Sequence, residues 1–407
     1  MMVLLVHRAR QVSALLKRDG VWGALRAIWR RLRYGPAQPQ YVDVFGHYSF
    51  ALPHVIRPAP GQSEPGTLLW FIPDFNIGSG GHTTIFRTIW HLEQKGYRSG
   101  IVICKPVMHQ NAQDARAEIQ EHFFPLQAQV YLGFAGLPPC EFAMATGWDT
   151  AYSVRAFTGA RHKLYFVQDF EPYFYAMGSE HVLAENTYRF GFFGITAGDW
   201  LAGKLAQDYG MVTHPVRFGV EQERYRRRPR REPHIRRVFF YARPPTQRRA
   251  FELGLLVLKA VWERLPDTHF IMAGWDTSNY SIPFPHLSCG TVTPDELADV
   301  FSQCDVALVL SLTNASLMPP ELMACGCTVV SNRGLNVEWL LSEDVAVLTD
   351  ATPEAMTDAV CGLLQDDARR SALSARGEAY ARDLHWADMA DQFEAGLQKV
   401  RAGSALS

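Results

Sequence analysis

"VFFYARPPTQRRAFELGLLVLKAV", residues 238–261, starts as an apolar run and ends as an amphipathic helix, with Arg243, Arg248 and Arg249 on the turn between. A short apolar run bounded by turn residues reads as a buried strand. Phe251, Leu255, Leu258, Trp262 and Leu265 recur at helical spacing and give the next segment one apolar face. A strand feeding a helix is the repeating unit of a doubly wound α/β domain, in which ligands bind beyond the carboxyl ends of the strands. The three arginines stand at such an end. Beside a helix N-terminus they form either an anion site or a cluster of solvated loop side chains. Burying them together without an anion is costly, and a diphosphate supplies that charge.

The pattern repeats on both sides. Apolar runs at 68–73, 100–104, 142–146, 164–168, 192–196 and 215–219 precede the arginine turn. Helices are expected at Thr83 to Lys95, closed by Gly96, and at Trp200 to Tyr209, closed by Gly210. After the turn, strands are expected near 238–243, 269–273, 306–312, 328–331 and 345–349. Strands alternating with helices imply parallel sheets. A chain of 407 residues is long for one core, so two doubly wound domains facing one another are expected. Between them, "RYRRRPRREPHIRR" (224–237) has almost no apolar content and reads as a linker, a solvated charge run rather than a nucleic-acid site.

A net charge of −1 excludes any global pull toward nucleic acid. Seven cysteines without repeated C-x-x-C spacing argue against a disulfide framework and a zinc ribbon, and for a reducing compartment. Cys325 and Cys327 read as small apolar residues near a helix end. The histidines show no metal-binding spacing, so no metal is expected. No apolar stretch reaches the ~20 residues of a membrane span. "MMVLLVHRARQ" is too short in its apolar part, and on the wrong side of its arginines, for a signal peptide. Residues 1–35 nonetheless combine Trp22, Leu25, Ile28 and Trp29 with Arg26, Arg30, Arg31 and Arg33. Such a basic amphipathic helix suits an anionic membrane surface, or packs on the body with its charges in water.

A second element completes the candidate site. In "DVALVLSLTNASLMPPELMACGCTVVSN" (305–332) a strand leads through a loop to a helix opened by Pro319 and Pro320 and closed at Gly326. The loop Asn314, Ala315, Ser316, Leu317 and Met318 is expected to present amides to an anion. Glu321, in the first helical turn, can accept from a sugar hydroxyl or simply be favoured by the helix dipole. On the other domain, "GSGGH" (Gly78, Ser79, Gly80, Gly81, His82) lets a ligand approach the backbone, or is a plain strand-to-helix turn. Asp169 and Glu171 follow a buried strand. Either could act on an acceptor hydroxyl, or Asp169 could cap the next helix.

At these residues the sequence resembles the GT-B glycosyltransferases, in particular the large retaining family numbered four. That family carries two glutamates separated by seven residues and then "A-x-G-x-P-V-V". Here Thr313 stands at the first position, Glu321 at the second, and "ACGCTVV" follows. Arg243 and Arg249 match the spacing of the family's diphosphate-binding Arg and Lys, with Arg248 a weaker candidate. "LYFVQDFEP" matches the strand that usually ends in His-Asp, with Gln168 in place of the histidine. "FIPDFNIGSGGHTTIF", "YFVQDFEPYFYAMGSEHVLAENTYRFGFFGITAG" and "FYARPPTQRRAFELG" look like a subgroup of bacterial cell-surface rhamnosyltransferases. The resemblance covers roughly residues 66–395.

The resemblance implies an α/β fold of GT-B type, two Rossmann-like domains around a cleft, after an N-terminal basic helical extension. The boundaries that follow are 1–65 for the extension and connector, 66–222 for the acceptor-side domain and 223–237 for the linker. The donor domain is 238–385, and a helix over 386–407 packs back across both domains. It further implies a metal-independent, retaining transferase with no cofactor, moving a 6-deoxyhexose, L-rhamnose from dTDP-L-rhamnose, to a glycan or lipid-linked glycan acceptor. Gln168 and Thr313 in place of the family's His and Glu are compatible with a 6-deoxy sugar. The roles carried over place the diphosphate on Arg243, Arg249, Gly80, Gly81 and the loop after Thr313. They place the nucleotide's ribose or deoxyribose on Glu321, its base on Gly290 and Val292, and the acceptor near Gly78, Ser79, His82, Gln168 and Asp169. The expected setting is the cytoplasm, at the inner face of the cytoplasmic membrane. GDP-mannose or a UDP-sugar as donor, or a non-catalytic glycan-binding protein, are the alternatives.

Overall fold

A computed structural model describes residues 43–315 and 317–404. Residues 1–52 and 53–407 form two separate units. The described part of the first is a helical turn, Val44–Tyr48, whose N-cap Asp43 accepts from Gly46 N at 2.8 Å. The basic helix expected over residues 1–34 lies outside the described residues. The extension and connector expected over 1–65 are divided: from Pro53 the chain belongs to the second unit. There Ile56 pairs with Phe157 and Ala59 N donates to Leu137 O at 2.7 Å.

The second unit holds two parallel sheets. The first has the strands β1 (Thr67–Ile72), β2 (Arg98–Ile103), β3 (Gln129–Leu132), β4 (Cys140–Ala145), β5 (Ala160–Val167), β6 (Phe193–Ala197) and β7 (Thr213–Val216), in the order β3-β2-β1-β4-β5-β6-β7. The second has β8 (Arg237–Tyr241), β9 (His269–Ala273), β10 (His286–Ser288), β11 (Val306–Val309), β12 (Thr328–Asn332) and β13 (Ala346–Thr349), in the order β10-β9-β8-β11-β12-β13. Each central strand is buried along nearly its whole length because helices cover both faces, as a parallel sheet requires. Helix and sheet come unusually close where Gly254 faces Phe240: a Cβ there would lie 2.1 Å from the ring. In each sheet the winding reverses direction once, between β1 and β4 and between β8 and β11. These are the topological switch points at which crevices open.

The final helix, Trp386–Ser404, leaves the second lobe and completes the first. Trp386, Met389, Phe393 and Leu397 join the core of β1, β5 and β6. Phe393 lies against Trp70 and Phe166, and Arg401 forms a bidentate pair with Glu141 at 2.6 and 2.7 Å. The chain therefore passes between the lobes twice, and the two passages touch. Val220 N donates to Leu384 O at 3.0 Å, and a Cβ on Gly219 would lie 2.3 Å from Trp386 N.

The arginine-rich linker is a largely exposed charge run, as its composition suggests, but many of its arginines are paired. Arg224 pairs with Glu221 and Asp295, Arg227 with Glu378, Arg230 with Asp305, Arg231 with Asp299 and Arg237 with Glu232. Carboxylates distant in sequence fold back onto it, so it is a fastening along the second lobe rather than a free tether.

Candidate functional site

The loops after β5 and β6 meet the loops after β8 and β11, the strands of the second sheet's switch point. From the second lobe, Arg243, Arg248 and Arg249 leave β8 on one turn. Thr246 N donates to Arg243 O and Arg249 N to Thr246 O, at 2.9 and 2.8 Å. The turn ends at Ala250 (φ 48°), the one non-glycine residue with positive φ among the described residues. A side chain there costs roughly 1–2 kcal/mol in a left-handed conformation, so the turn is held under strain.

The three guanidinium groups leave the turn toward different partners. Arg249 Nη1 donates to Ser311 Oγ at 2.9 Å, and Arg248 Nε lies 3.5 Å from Asp169 Oδ2. Arg248 also stacks on Phe174, 3.9 Å from the ring centroid. Burial and the charges of Arg249 and Arg243 push the Arg248 pKa down, against the pull of Asp169. Three guanidinium groups thus share this turn with one nearby carboxylate, that of Asp169. Arg243 is the most exposed of the three, with Nη1 donating to Tyr241 Oη at 3.1 Å.

Asp169 closes the cleft from the other side. Its carboxylate accepts from Phe170 N at 2.8 Å, from Asn314 N at 2.9 Å and from Thr313 Oγ1 at 2.9 Å. Burial raises its pKa, opposed by Arg249 and Arg248. Asn314 extends the tie: Nδ2 donates to Ala197 O at 2.8 Å and to Gln168 O at 3.2 Å, and Oδ1 accepts from Trp339 Nε1 at 2.8 Å. Leu317 packs against the core of the first lobe. These residues knit the two lobes together.

Several expected contacts change as a result. The loop after β11 was expected to turn its amides toward an anion, but Asn314 N is taken by Asp169 and Ala315 N by Asn336 O at 3.0 Å. Leu317 and Met318 remain, at a helix start where amides lack intrahelical acceptors. Ser316 lies outside the described residues. Thr313 is buried with its hydroxyl on Asp169 rather than open to a sugar. Asp169 holds the lobes together rather than standing as a free base. Glu171 is buried inside the first lobe, accepting from Trp148 N at 2.6 Å and Tyr165 Oη at 2.9 Å, and burial pushes it up to about 8.

Glu321 lies on the helix Met318–Ala324. Among the described residues no group donates a hydrogen bond to its carboxylate. Burial first, and the charge of Glu221 second, push it up to about 8, while Arg87 and Arg224 act the other way. Arg87 comes from the helix Gly80–Gln94, pairs with Glu221 and stacks on Trp386 at 4.3 Å, so the first lobe meets the second beside Glu321 here.

In the glycine loop, an added Cβ on Gly78 or Gly80 would meet nothing within 4 Å, and on Gly81 only Gln168 Nε2, at 3.9 Å. The backbone there is open to a ligand. Gln168 Nε2 donates to Gly81 O at 3.3 Å. His82 pairs through Nδ1 with Ser79 Oγ at 2.8 Å and through Nε2 with Pro73 O at 3.2 Å, and burial lowers its pKa. It fastens the loop. Gly290 has φ 61° and its carbonyl accepts from Gly274 N at 2.7 Å, while Val292 packs on the core of the second lobe. Neither carries a distinct ligand-binding feature.

Family models described as "WsaF, N-terminal domain" and "WsaF, C-terminal domain" match residues 136–196 and 236–361. Over 370 residues the chain is 31% identical to the O-antigen biosynthesis protein RfbC of Myxococcus xanthus. That alignment takes in 86% of this chain but 28% of the relative, so the chain spans just over a quarter of that protein. Among solved structures, sucrose-phosphate synthase of Thermosynechococcus elongatus superposes with a TM-score of 0.64 at 12% identity, covering 83% of this chain and 99% of that one. Anabaena Alr3699/HepE, solved with UDP and glucose, gives 0.64 at 14%, covering 82% and 99%, and TarM gives 0.66 at 8%, covering 82% and 99%. The fold is that of a GT-B glycosyltransferase.

Within the GT-B frame, sequence reasoning missed a polar knot behind the arginines. Ser311 Oγ donates to Asn314 O at 3.0 Å, Asn332 Oδ1 accepts from Ser311 N at 2.9 Å, and Asn336 Nδ2 donates to Ser311 O at 2.9 Å. Two asparagines close to a buried strand end in "SNRGLN" are the signal that could have exposed it, because buried amides demand partners. Among the described residues no group of three or more His, Cys, Asp or Glu side chains could hold a metal ion. No described helix is long and apolar enough to cross a membrane.

Proposed function

We propose that this chain is a glycosyltransferase of surface-glycan assembly, transferring a 6-deoxyhexose, L-rhamnose from dTDP-L-rhamnose, to a growing glycan or lipid-linked glycan. The observation that carries the reading is the turn of Arg243, Arg248 and Arg249 at the mouth of the GT-B cleft, with Arg248 3.5 Å from Asp169 across it. A turn of three arginines opposite an open glycine loop is matched to a diphosphate leaving group. Fixed cations in a water-poor cleft lower the barrier as charge develops on that group, with no reorganisation during the reaction. Glu321, whose carboxylate accepts no hydrogen bond among the described residues, receives a hydroxyl of the nucleotide sugar ring.

The bond from the anomeric carbon to the diphosphate oxygen breaks, and one from that carbon to the acceptor oxygen forms. The acceptor proton passes to the departing phosphate on the same face, so configuration is retained. Arg243 and Arg249 supply the neutralising charge without a metal, and activity is expected to survive EDTA. Asp169 positions the arginines and the loop after β11 rather than taking a proton. Rhamnose as the sugar is supported by the WsaF models, a rhamnosyltransferase family, and by Gln168 at the position that the GT-B resemblance gives to histidine.

The HepE structure with UDP and glucose favours a UDP-hexose as the competing donor. Thermal unfolding with dTDP-rhamnose, GDP-mannose, UDP-glucose and the free nucleotides decides, because a ligand of the folded state alone must raise Tm. A shift confined to a UDP-sugar replaces the donor, and none with any nucleotide removes the reading. Attachment to the inner membrane face through residues 1–34 is tested by binding to anionic vesicles with and without that segment.

A further inference from the structure

Beside the arginine turn lies a cavity of ≈ 400 Å³ that shares only Arg248 with the proposed donor site. Phe174 to Glu180 of the first lobe form one wall and Pro245 to Arg248 of the second form the other. Arg248 is the partition, with its guanidinium on Phe174 and its Nε toward Asp169. None of Arg243, Arg249 and Glu321 lines the space.

Its chemistry is specific. Phe174, Tyr175 and Met177 offer apolar surface, Met177 being 82% exposed at the mouth. Ser179, Thr246 and Gln247 offer hydrogen bonds, and the two charges, Arg248 and Glu180, are opposite. A second phosphate meets an unfavourable carboxylate here, and an acyl chain would strand the polar groups. A neutral polyol with C–H faces and a ring of hydroxyls matches all of them. The volume falls in the ~300–1,000 Å³ range of small-molecule sites. The first-lobe wall is held in shape: Trp148 Nε1 donates to Tyr175 Oη at 2.9 Å, and buried Glu171 fixes the turn just before it.

We propose that this cavity is a saccharide subsite, holding an acceptor sugar unit next to the one that is glycosylated. The proposal rests on the glycosyl-transfer reading for its role but not for its ligand. Because its second wall is the turn carrying Arg249, an occupied subsite also braces the phosphate-binding cations.

The test uses the full chain and a panel of neutral probes, rhamnan, mannan and glucan trisaccharides. Saturation-transfer NMR reads direct binding, and transfer kinetics read the acceptor KM. A Met177→Ala/Gln247→Ala double variant, both positions being exposed, is expected to lose the NMR contact and to raise the acceptor KM about tenfold, about 1.4 kcal/mol, with donor affinity retained. Binding of no trisaccharide by the wild type overturns the subsite, as does an acceptor KM that the variant leaves unchanged. A parallel loss of donor affinity assigns the cavity to the donor and also overturns it. Trisaccharide binding that depends on Met177 and Gln247, in a protein that proves to transfer no sugar, sustains the subsite while ending the transferase reading.

Discussion

Thr313 Oγ1 donates to Asp169 Oδ2 at 2.9 Å, joining the loop after β11 to the loop after β5 across the mouth of the cleft. The GT-B resemblance puts a glutamate at the Thr313 position. A carboxylate there would face Asp169 directly, like against like. Threonine turns that meeting into a hydrogen bond, so the two residues are matched to one another. Removing the donor leaves a buried carboxylate short of a partner, which costs about 1–3 kcal/mol. Thr313→Val is expected to lower Tm by several degrees and to separate the lobes, read by small-angle scattering, while Thr313→Ser behaves as wild type.

Arg249 has a structural partner in Ser311, so its removal tests charge and shape together. Arg249→Ala is expected to lower kcat by about 10²–10³, the usual cost of deleting one transition-state donor. Arg249→Lys restores part of it. Far-ultraviolet circular dichroism checks that the fold is kept. A wild-type rate in Arg249→Ala and Arg243→Ala alike removes the phosphate role.

Glu321 gives a pH signature. Its folded pKa is raised from 4.5 to about 8, because burial and Glu221 disfavour the charged form. Between those values the unfolded chain has released the proton and the folded chain keeps it, so folding stability falls as pH rises from 4.5 toward 8. Glu321→Gln cannot ionise. Its Tm is expected to equal the wild type's near pH 4.5 and to exceed it increasingly up to about pH 8, read by calorimetry. Above about pH 8, where the wild-type group is ionised, donor affinity in the same variant is expected to fall, since an amide is a weaker acceptor than a carboxylate for the sugar hydroxyl.

Ala250 tests the strained turn. Ala250→Val places a β-branched residue at φ 48° and is expected to cost roughly 1–2 kcal/mol or more and to displace Arg249. Donor affinity drops with Tm. Ala250→Gly, free of that strain, keeps both.

The strands of both lobes were legible because parallel strands buried on two faces are written as continuous apolar runs. The two that were not, Gln129–Leu132 and His286–Ser288, are short edge strands, and the second is exposed throughout. The strand expected over 306–312 stops at Val309, because Ser311 turns aside into the asparagine knot. The arginine turn was legible from the clash between a buried strand and its charged end. What the sequence could not show was the partner of each polar group. Asp169 and Thr313 are 144 residues apart, and nothing local in either loop says that they meet. The same holds for the linker arginines, whose carboxylates come from helices distant in the chain.

The paired passages at Val220 and Leu384 decide how this protein can move. Two polypeptide segments, fastened side by side with Gly219 pressed on the Trp386 backbone, resist twisting and sliding but still allow bending. Any opening of the lobes is thereby expected to be a bending about one line, and it would part Asp169 from Thr313. A methyl group at Gly219 would overlap the His385 and Trp386 backbone and force the two passages apart at the pivot.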